Sequence, residues 1–240
     1  MGNESGEWIL YGLSENDPNC IRSVEQLTDY IDEVGFLPLF KNDIPGFSVE
    51  EQVADAFWWS GDAEHDPWEW REIIARSSET AYGKFFGKKA GFISKEWLPL
   101  FANYRRGGYD FDARWDDGLA KHREKKIMDC FGRAEEYESP RLKQIAGFGK
   151  GGEKNFDGVV SDLQMQLYLV VKDFRRKRNK FGAEYGMPVC VYAQPEALWG
   201  YAAVTSAYHE APEESRQRIF EHVRTLYPGA AEKSLVSELK

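Results

Sequence analysis

Hydrophobic residues recur at helical spacing in three segments of the N-terminal third. A capping box opens the first segment at Ser23 and a glycine closes it at Gly35, which predicts a helix between them. A second helix is predicted over residues 48–57, where valines and a phenylalanine share one face. A third begins at Asp66, because an aspartate cap, a proline and a glutamate follow each other in the favoured positions. The proline-broken apolar segment 36–40 predicts a buried connector.

Two later segments have the pattern of β-hairpins, with short branched or aromatic runs on either side of a polar turn. The first joins residues 81–86 to 90–93, and the second joins residues 167–174 to 185–192. Pro188 lies in the last of these four runs and predicts an edge strand, since proline cannot donate a ladder hydrogen bond. Helical patterns separate the hairpins and follow the second one, ending in an amphipathic helix over residues 212–227.

Helices followed by a two-stranded hairpin is the element order of a winged helix, and the order occurs twice. We therefore predict a mainly α fold with short β-hairpins (α+β), in which tandem winged-helix units are fused into one compact body. The first, acidic unit spans residues 1–93. The second, which carries the C-terminal helix, spans residues 94–240.

Composition is typical of a globular cytoplasmic protein. The chain has 240 residues, of which 42% are hydrophobic and 15% aromatic, enough to form a core. No apolar run reaches the ~18 residues of a membrane span, and residues 1–7 lack a signal-peptide pattern. Three scattered cysteines without paired spacing predict reduced thiols. We expect no membrane contact, no metal and no cofactor.

The net charge of −9 is distributed very unevenly. Residues 1–79 hold 4 Lys/Arg against 18 Asp/Glu, whereas residues 80–180 hold 22 against 14. The basic centre could bind a polyanion or dock onto the chain's own acidic end. Solvated helix faces are the alternative interpretation. The residues that we predict to contact nucleic acid lie on the two hairpins and in the Gly/Lys-rich loop 147–154: Lys84, Lys88, Lys89, Lys150, Lys154, Arg175, Arg176, Lys177, Arg178 and Lys180. On the second hairpin, these cations could instead protect a strand edge.

The segment 58–70 combines four tryptophans with four acids and a histidine. Tryptophan rings can sandwich a planar base, and the predicted pocket consists of Trp58, Trp59, His65, Trp68 and Trp70. An adjacent carboxylate could orient water, and the candidates are Asp62, Asp66 and Glu69. Alternatively, the tryptophans fill the core and the acids cap the next helix. A metal site is not expected, since these acids and His65 lie closer in sequence than usual metal ligands do.

With this order of elements, the chain resembles the winged-helix DNA glycosylases of the AlkZ/YcaQ type, and more closely the AlkZ-related proteins. The resemblance covers about two thirds of the chain. The segments that carry it are residues 23–40, 81–106 and 144–200. They include Tyr82-Gly83-Lys84-Phe85-Phe86-Gly87-Lys88-Lys89, and Tyr185-Gly186-Met187-Pro188 followed by Gln194-Pro195-Glu196.

The resemblance implies metal-independent excision of alkylated bases from duplex DNA. The family signature is Gln-x-Gln or Gln-x-Asp, and Pro38 and Phe40 stand at its position in this chain. Neither residue can orient water. A Gln-x-Gln at Gln164-Met165-Gln166 lies far from that position and is interpreted as coincidence. Three hypotheses follow: a DNA-binding protein without the family's chemistry, a glycosylase with a relocated carboxylate, and a non-catalytic scaffold or partner-binding module.

Overall fold

The computed structural model describes residues 9–240, so the prediction on residues 1–7 lies outside the described residues. The strands are β1 (Phe36–Pro38), β2 (Thr80–Phe86), β3 (Lys89–Ser94), β4 (Glu136–Glu138), β5 (Val170–Arg178) and β6 (Glu184–Ala193). The helices are α1 (Val24–Val34), α2 (Pro67–Ser77), α3 (Leu98–Arg106), α4 (Phe111–Asp116), α5 (His122–Met128), α6 (Ser139–Ile145), α7 (Phe156–Met165), α8 (Pro195–Trp199), α9 (Tyr201–Val204), α10 (Pro212–Leu226) and α11 (Glu232–Leu239).

The strands form two small antiparallel sheets, one with the order β1-β3-β2 and one with the order β4-β6-β5. The predicted α+β class is therefore confirmed. The predicted connector over residues 36–40 is wrong, because Phe36, Leu37 and Pro38 pair with Ile93, Phe92 and Gly91 of β3. Pro38 is tolerated there because β1 is an edge strand.

The predicted starts of α1 and α2 are confirmed by their cap geometry. The Ser23 hydroxyl accepts a hydrogen bond from the backbone N–H of Gln26 at 3.3 Å. The Asp66 carboxylate accepts one from the backbone N–H of Trp68 at 2.8 Å. Helix α1 ends at Gly35, whose φ of 81° suits a residue without a side chain.

The helix predicted over residues 48–57 is wrong. Only two short 3₁₀ turns form there, Glu50–Gln52 and Asp55–Phe57. Tertiary hydrogen bonds hold the backbone of this segment in other conformations, since Val49 donates to Pro38 O at 2.9 Å and Ile21 donates to Gln52 O at 2.9 Å. Between the two hairpins, α4 and α5 are separate helices, with Gly118 at φ 72° between them.

Strand β6 is the central strand of its sheet, so the edge position predicted from Pro188 is wrong. Strand β4 pairs with β6 only at residues 191–193, and the pairing with β5 is irregular between Arg175 and Lys177. Pro188 lies outside the part of β6 that pairs with both β4 and β5, and it faces this irregularity. Because the hydrogen-bond ladder is already interrupted there, the missing N–H of Pro188 does not break a regular pairing.

Buried hydrophobic residues from Ile21 to Leu239 form one continuous cluster. At its centre Phe36 is fully buried and contacts the rings of Phe47 and Phe101, with centroids 6.0 and 4.7 Å away. Among the described residues, no helix is both long and apolar enough to cross a membrane. Cys20, Cys130 and Cys190 are free thiols.

The cap of α2 gives the first prediction. Replacing Asp66 by Ala should lower the free energy of unfolding by about 1 kcal/mol, because the N–H of Trp68 loses its acceptor. The matched control is Glu64→Ala, which removes an exposed carboxylate before the helix. Denaturant unfolding measures both. Equal stability of the two variants would contradict the cap assignment.

Candidate functional site

An aromatic pocket of about 280 Å³ lies between α2, β2 and the β5–β6 hairpin. Five rings from separate segments line it: Phe40, Trp68, Tyr82, Phe174 and Tyr192. Two of its lining residues are exposed, Lys84 and Met187, and they mark its mouth. The pocket is therefore lined mainly by apolar and aromatic side chains and has the cation Lys84 at its mouth.

Arg71 is the buried cation of this aromatic pocket, with a relative exposure of 4%. Its guanidinium carbon lies 3.8 Å from the Trp68 ring centroid and 4.4 Å from that of Phe174. The Nη2 group donates to the Glu72 carboxylate at 3.1 Å, whereas Nε is buried and has no hydrogen-bond partner among the described residues. Stacking suits the guanidinium because it is planar and weakly hydrated.

Burial also changes the acid–base properties of the groups around Arg71. Desolvation raises the pKa of Tyr82 to about 12, although Arg71 acts in the opposite direction. Desolvation raises the pKa of Glu72 as well, and Arg71 offsets only part of that effect. The Cys190 thiol, which also lines the pocket, has a pKa raised by burial. Tyr82 and Cys190 thus remain neutral near pH 7.

A basic groove of about 700 Å³ adjoins the aromatic pocket. Phe174 lines both spaces, and Arg71 and Glu72 are neighbours that line the pocket and the groove respectively. The groove contains three glutamates and a larger number of cations, which are Arg76, Arg175, Arg176, Lys177 and Arg178. The structure thus places a positively charged surface directly beside an aromatic pocket.

The cations of the β5–β6 hairpin divide into two groups. Arg175 and Lys172 both bind Glu136, at 2.6 and 2.5 Å, and Arg178 binds Glu184 at 3.0 Å. Over the described residues, Arg176, Lys177 and Lys180 form no ion pair with a carboxylate. These three cations are exposed on a hairpin that also exposes Phe181 and Met187, at 82% and 79%.

The other predicted nucleic-acid residues belong to separate segments. Lys84 lies at the mouth of the aromatic pocket, and Lys88 and Lys89 are at the turn of the β2–β3 hairpin. Lys88 is held by Asp162 of α7 at 2.6 Å. Lys150 and Lys154 are exposed in the loop between α6 and α7. The structure therefore associates only Lys84 and the second hairpin with the pocket and groove.

The described residues of the acidic N-terminal third form few ion pairs with the basic centre. Within the described part of the chain, a single ion pair joins a cation of residues 80–180 to a carboxylate of residues 9–79, between Lys95 and Glu79. The other ion-paired cations of this region bind carboxylates of residues 80–180 or, for Arg106 and Arg178, of residues 181–240. The geometry gives no support to docking of the basic centre onto the acidic end.

The predicted tryptophan pocket does not form as expected. Trp58 and Trp70 are core residues, with exposures of 5% and 0%. Trp68 is the predicted member that lines the aromatic pocket. Trp59 is half-exposed and packs against Trp68 with ring centroids 6.4 Å apart, while His65 contacts the Phe57 ring outside the pocket.

The three candidate catalytic carboxylates line neither the aromatic pocket nor the basic groove. Asp66 is buried as the cap of α2, and Glu69 is half-buried. Asp62 is exposed and accepts a hydrogen bond from His65 at 2.9 Å, which lowers the pKa of Asp62 and raises that of His65. The turn also brings ligand atoms of Asp62, Glu64 and His65 within 4.8 Å of one another, although their spacing in sequence had weighed against a metal site.

The position predicted for the family signature adjoins the aromatic pocket. Phe40 lines the pocket, with its ring centroid 5.3 Å from that of Trp58, and Pro38 ends β1. The Gln164-Met165-Gln166 motif instead anchors other elements. Gln164 is 1% exposed and accepts from the backbone N–H of Lys84 at 3.0 Å, and Gln166 donates to Glu124 at 3.2 Å.

Sequence reasoning missed the Arg71–Glu72 pair and the aromatic residues of β2, β5 and β6. An arginine in an amphipathic helix is usually exposed, yet in α2 Arg71 is buried while Ile73 is 41% exposed. The available signal was the placement of Trp68 three residues before Arg71 on one helix face. Its partner Phe174 lies about one hundred positions later and could not be assigned from local pattern.

The α+β fold of this chain thus carries a basic groove directly beside an aromatic pocket. The chain belongs to the AlkZ-related family, whose family model matches residues 21–240. Nearly the whole described chain is covered, and the resemblance drawn from the hairpin segments is confirmed. A comparison with curated proteins finds no match.

Glu136 gives a prediction on acid stability. Its pKa is lowered by hydrogen bonds from Lys172 and Arg175, so its carboxylate stabilises the folded state at neutral pH, and this contribution is lost as pH falls through the lowered pKa. Glu136→Gln should therefore be less stable than the wild type at pH 7, and the difference should shrink below the ordinary glutamate pKa of 4.5.

Thermal unfolding from pH 7 to pH 3 measures this difference. The matched control is Glu135→Gln, an exposed neighbour with the same change of charge. A gap in melting temperature that stays constant with pH would contradict the role of Glu136, and so would an equal effect of the control.

Proposed function

We propose that this protein binds duplex DNA through the β5–β6 hairpin and the basic groove, and that it has lost the excision chemistry of its glycosylase relatives. The observation that supports this most is a group of hairpin cations without carboxylate partners among the described residues: Arg176 and Lys177 in the groove beside the aromatic pocket, and Lys180 nearer the turn. Phosphate contacts by such side chains supply most of the affinity of proteins for DNA. Exposed Phe181 and Met187 add the apolar contacts that minor-groove binders use.

We propose further that the chain is organised as two winged-helix-like units, residues 1–93 and 94–240. In each unit helices precede an antiparallel hairpin, β2–β3 in the first and β5–β6 in the second. The units are joined by the shared core and by contacts such as Gln164 with Lys84. In this organisation the second hairpin acts as the wing.

A double substitution tests the hairpin. Arg176→Ala with Lys177→Ala should weaken binding to a labelled duplex and reduce the slope of log K against log salt by about two, since each phosphate contact contributes ~0.9. The control is Arg133→Ala with Lys233→Ala, which removes two exposed cations that also lack ion pairs among the described residues. Fluorescence anisotropy between ~50 and ~200 mM salt measures both. Equal slopes for the two double variants would refute the proposal.

Loss of excision is tested on alkylated and crosslinked duplexes. Because Pro38 and Phe40 offer no side chain that can orient water, no heat- or base-labile sites should form above background. Abasic sites that appear in proportion to protein would instead favour a relocated carboxylate. Glu72 is then the first candidate, because it lies in the basic groove with a raised pKa. The variant Glu72→Gln would separate that enzyme from a contaminating activity.

A further inference from the structure

We infer that the aromatic pocket is a recognition site for a single uncharged keto-purine base, and that Arg71 determines its selectivity. The source of the base would be DNA held in the basic groove, so that part rests on the proposed function. Recognition of the ring itself depends only on residues within the aromatic pocket.

The size and lining of the pocket favour a flat ligand of one or two rings. Its volume of about 280 Å³ lies just below the ~300–1,000 Å³ of sites for drug-sized molecules. Five aromatic side chains line it, and aromatic rings stack on the faces of nucleobases. Its Tyr82 and Cys190 are neutral because burial raises both pKa values. The interior therefore offers stacking surfaces and few charges.

Arg71 supplies a charged donor to this cavity. The guanidinium has five N–H donors, of which Nη2 donates to Glu72, and Arg71 also shares a hydrogen bond with the Tyr82 hydroxyl. Because Arg71 lines the pocket, its guanidinium can donate to an acceptor on a bound ring. The stacking of Arg71 against Trp68 and Phe174 holds this donor in a fixed position.

The same guanidinium distinguishes between bases. Arginine pairs with the O6 and N7 acceptors of guanine, whereas adenine presents an amino donor at position 6. Hypoxanthine carries the same two acceptors as guanine. A base methylated at N7 has lost one acceptor and is cationic, so it would be repelled by Arg71 and by Lys84 at the mouth. The pocket should thus select against a positively charged alkylated base.

Calorimetric titration of the full chain with free nucleosides tests this inference. Guanosine and inosine should bind, and adenosine and 7-methylguanosine should each bind at least about tenfold more weakly. Equal affinity for guanosine and adenosine, or tighter binding of 7-methylguanosine, would overturn the inference. This comparison uses only the wild-type protein, so it does not depend on how any variant folds.

Two variants locate the selectivity. Arg71→Lys keeps the charge but loses the planar fork, and it should abolish the preference for guanosine over adenosine. Arg133→Lys, at an exposed position that lines neither the aromatic pocket nor the basic groove, should leave the preference intact. A preference that persists in Arg71→Lys, with the fold verified by circular dichroism, would exclude Arg71 as the determinant.

Failure of this inference can be distinguished from failure of the proposed function. If the hairpin double variant loses salt-dependent duplex binding but still prefers guanosine, both proposals stand. If wild-type protein binds duplex DNA but shows no preference among nucleosides, the groove binds DNA and the pocket is not a keto-purine site. An unpaired guanine in a duplex, compared with an unpaired adenine, then tests whether the base comes from DNA. Equal affinities for these two duplexes would exclude DNA as the source.

Discussion

The buried guanidinium of Arg71 is the interaction on which the candidate site depends. Removing a cation from water is costly unless neighbouring groups replace its hydration. Here the rings of Trp68 from α2 and Phe174 from β5 both contact it, and Glu72 accepts a hydrogen bond. Because these partners come from a helix and from a hairpin strand, burial of this one charge fixes the helix against the hairpin. The aromatic pocket and the basic groove both form along that contact.

Ion pairs within the sheet β4-β6-β5 determine which of its cations remain available to a ligand. Glu136 and Asp173 bind the cations nearest the base of the hairpin, Lys172 and Arg175. The cations nearer the tip have fewer partners, which concentrates positive potential at the exposed end. A protein with a net charge of −9 can thereby present a local anion-binding surface. Net charge alone would have argued against a nucleic-acid ligand.

The sequence predicted local features well and long-range features poorly. The capped starts of α1 and α2 and both hairpins followed from short signals that act within a few residues. The segment over residues 48–57 did not, because its conformation depends on backbone hydrogen bonds to Ile21 and Pro38, which no local pattern reveals.

The candidate site shows the same limit. Its cations were recognisable as a run on one strand, whereas the pocket combines Phe40, Trp68, Tyr82, Phe174 and Tyr192 from positions far apart in the chain. Of the pocket residues predicted from the tryptophan-rich segment, only Trp68 of α2 lines the aromatic pocket. Trp58 and Trp70 pack in the core, and the decisive polar group is an arginine that helical periodicity places among exposed residues.

The chain belongs to the AlkZ-related family, and Phe40, at the position predicted for the family signature, lines the aromatic pocket. Hydrogen–deuterium exchange of the full chain, with and without duplex DNA at low salt, tests the central claim of hairpin binding most directly. Amide exchange should slow in β5, β6 and the turn between them when DNA is bound. Protection confined to the loop 147–154 or to α10 and α11, with the hairpin unchanged, would contradict it.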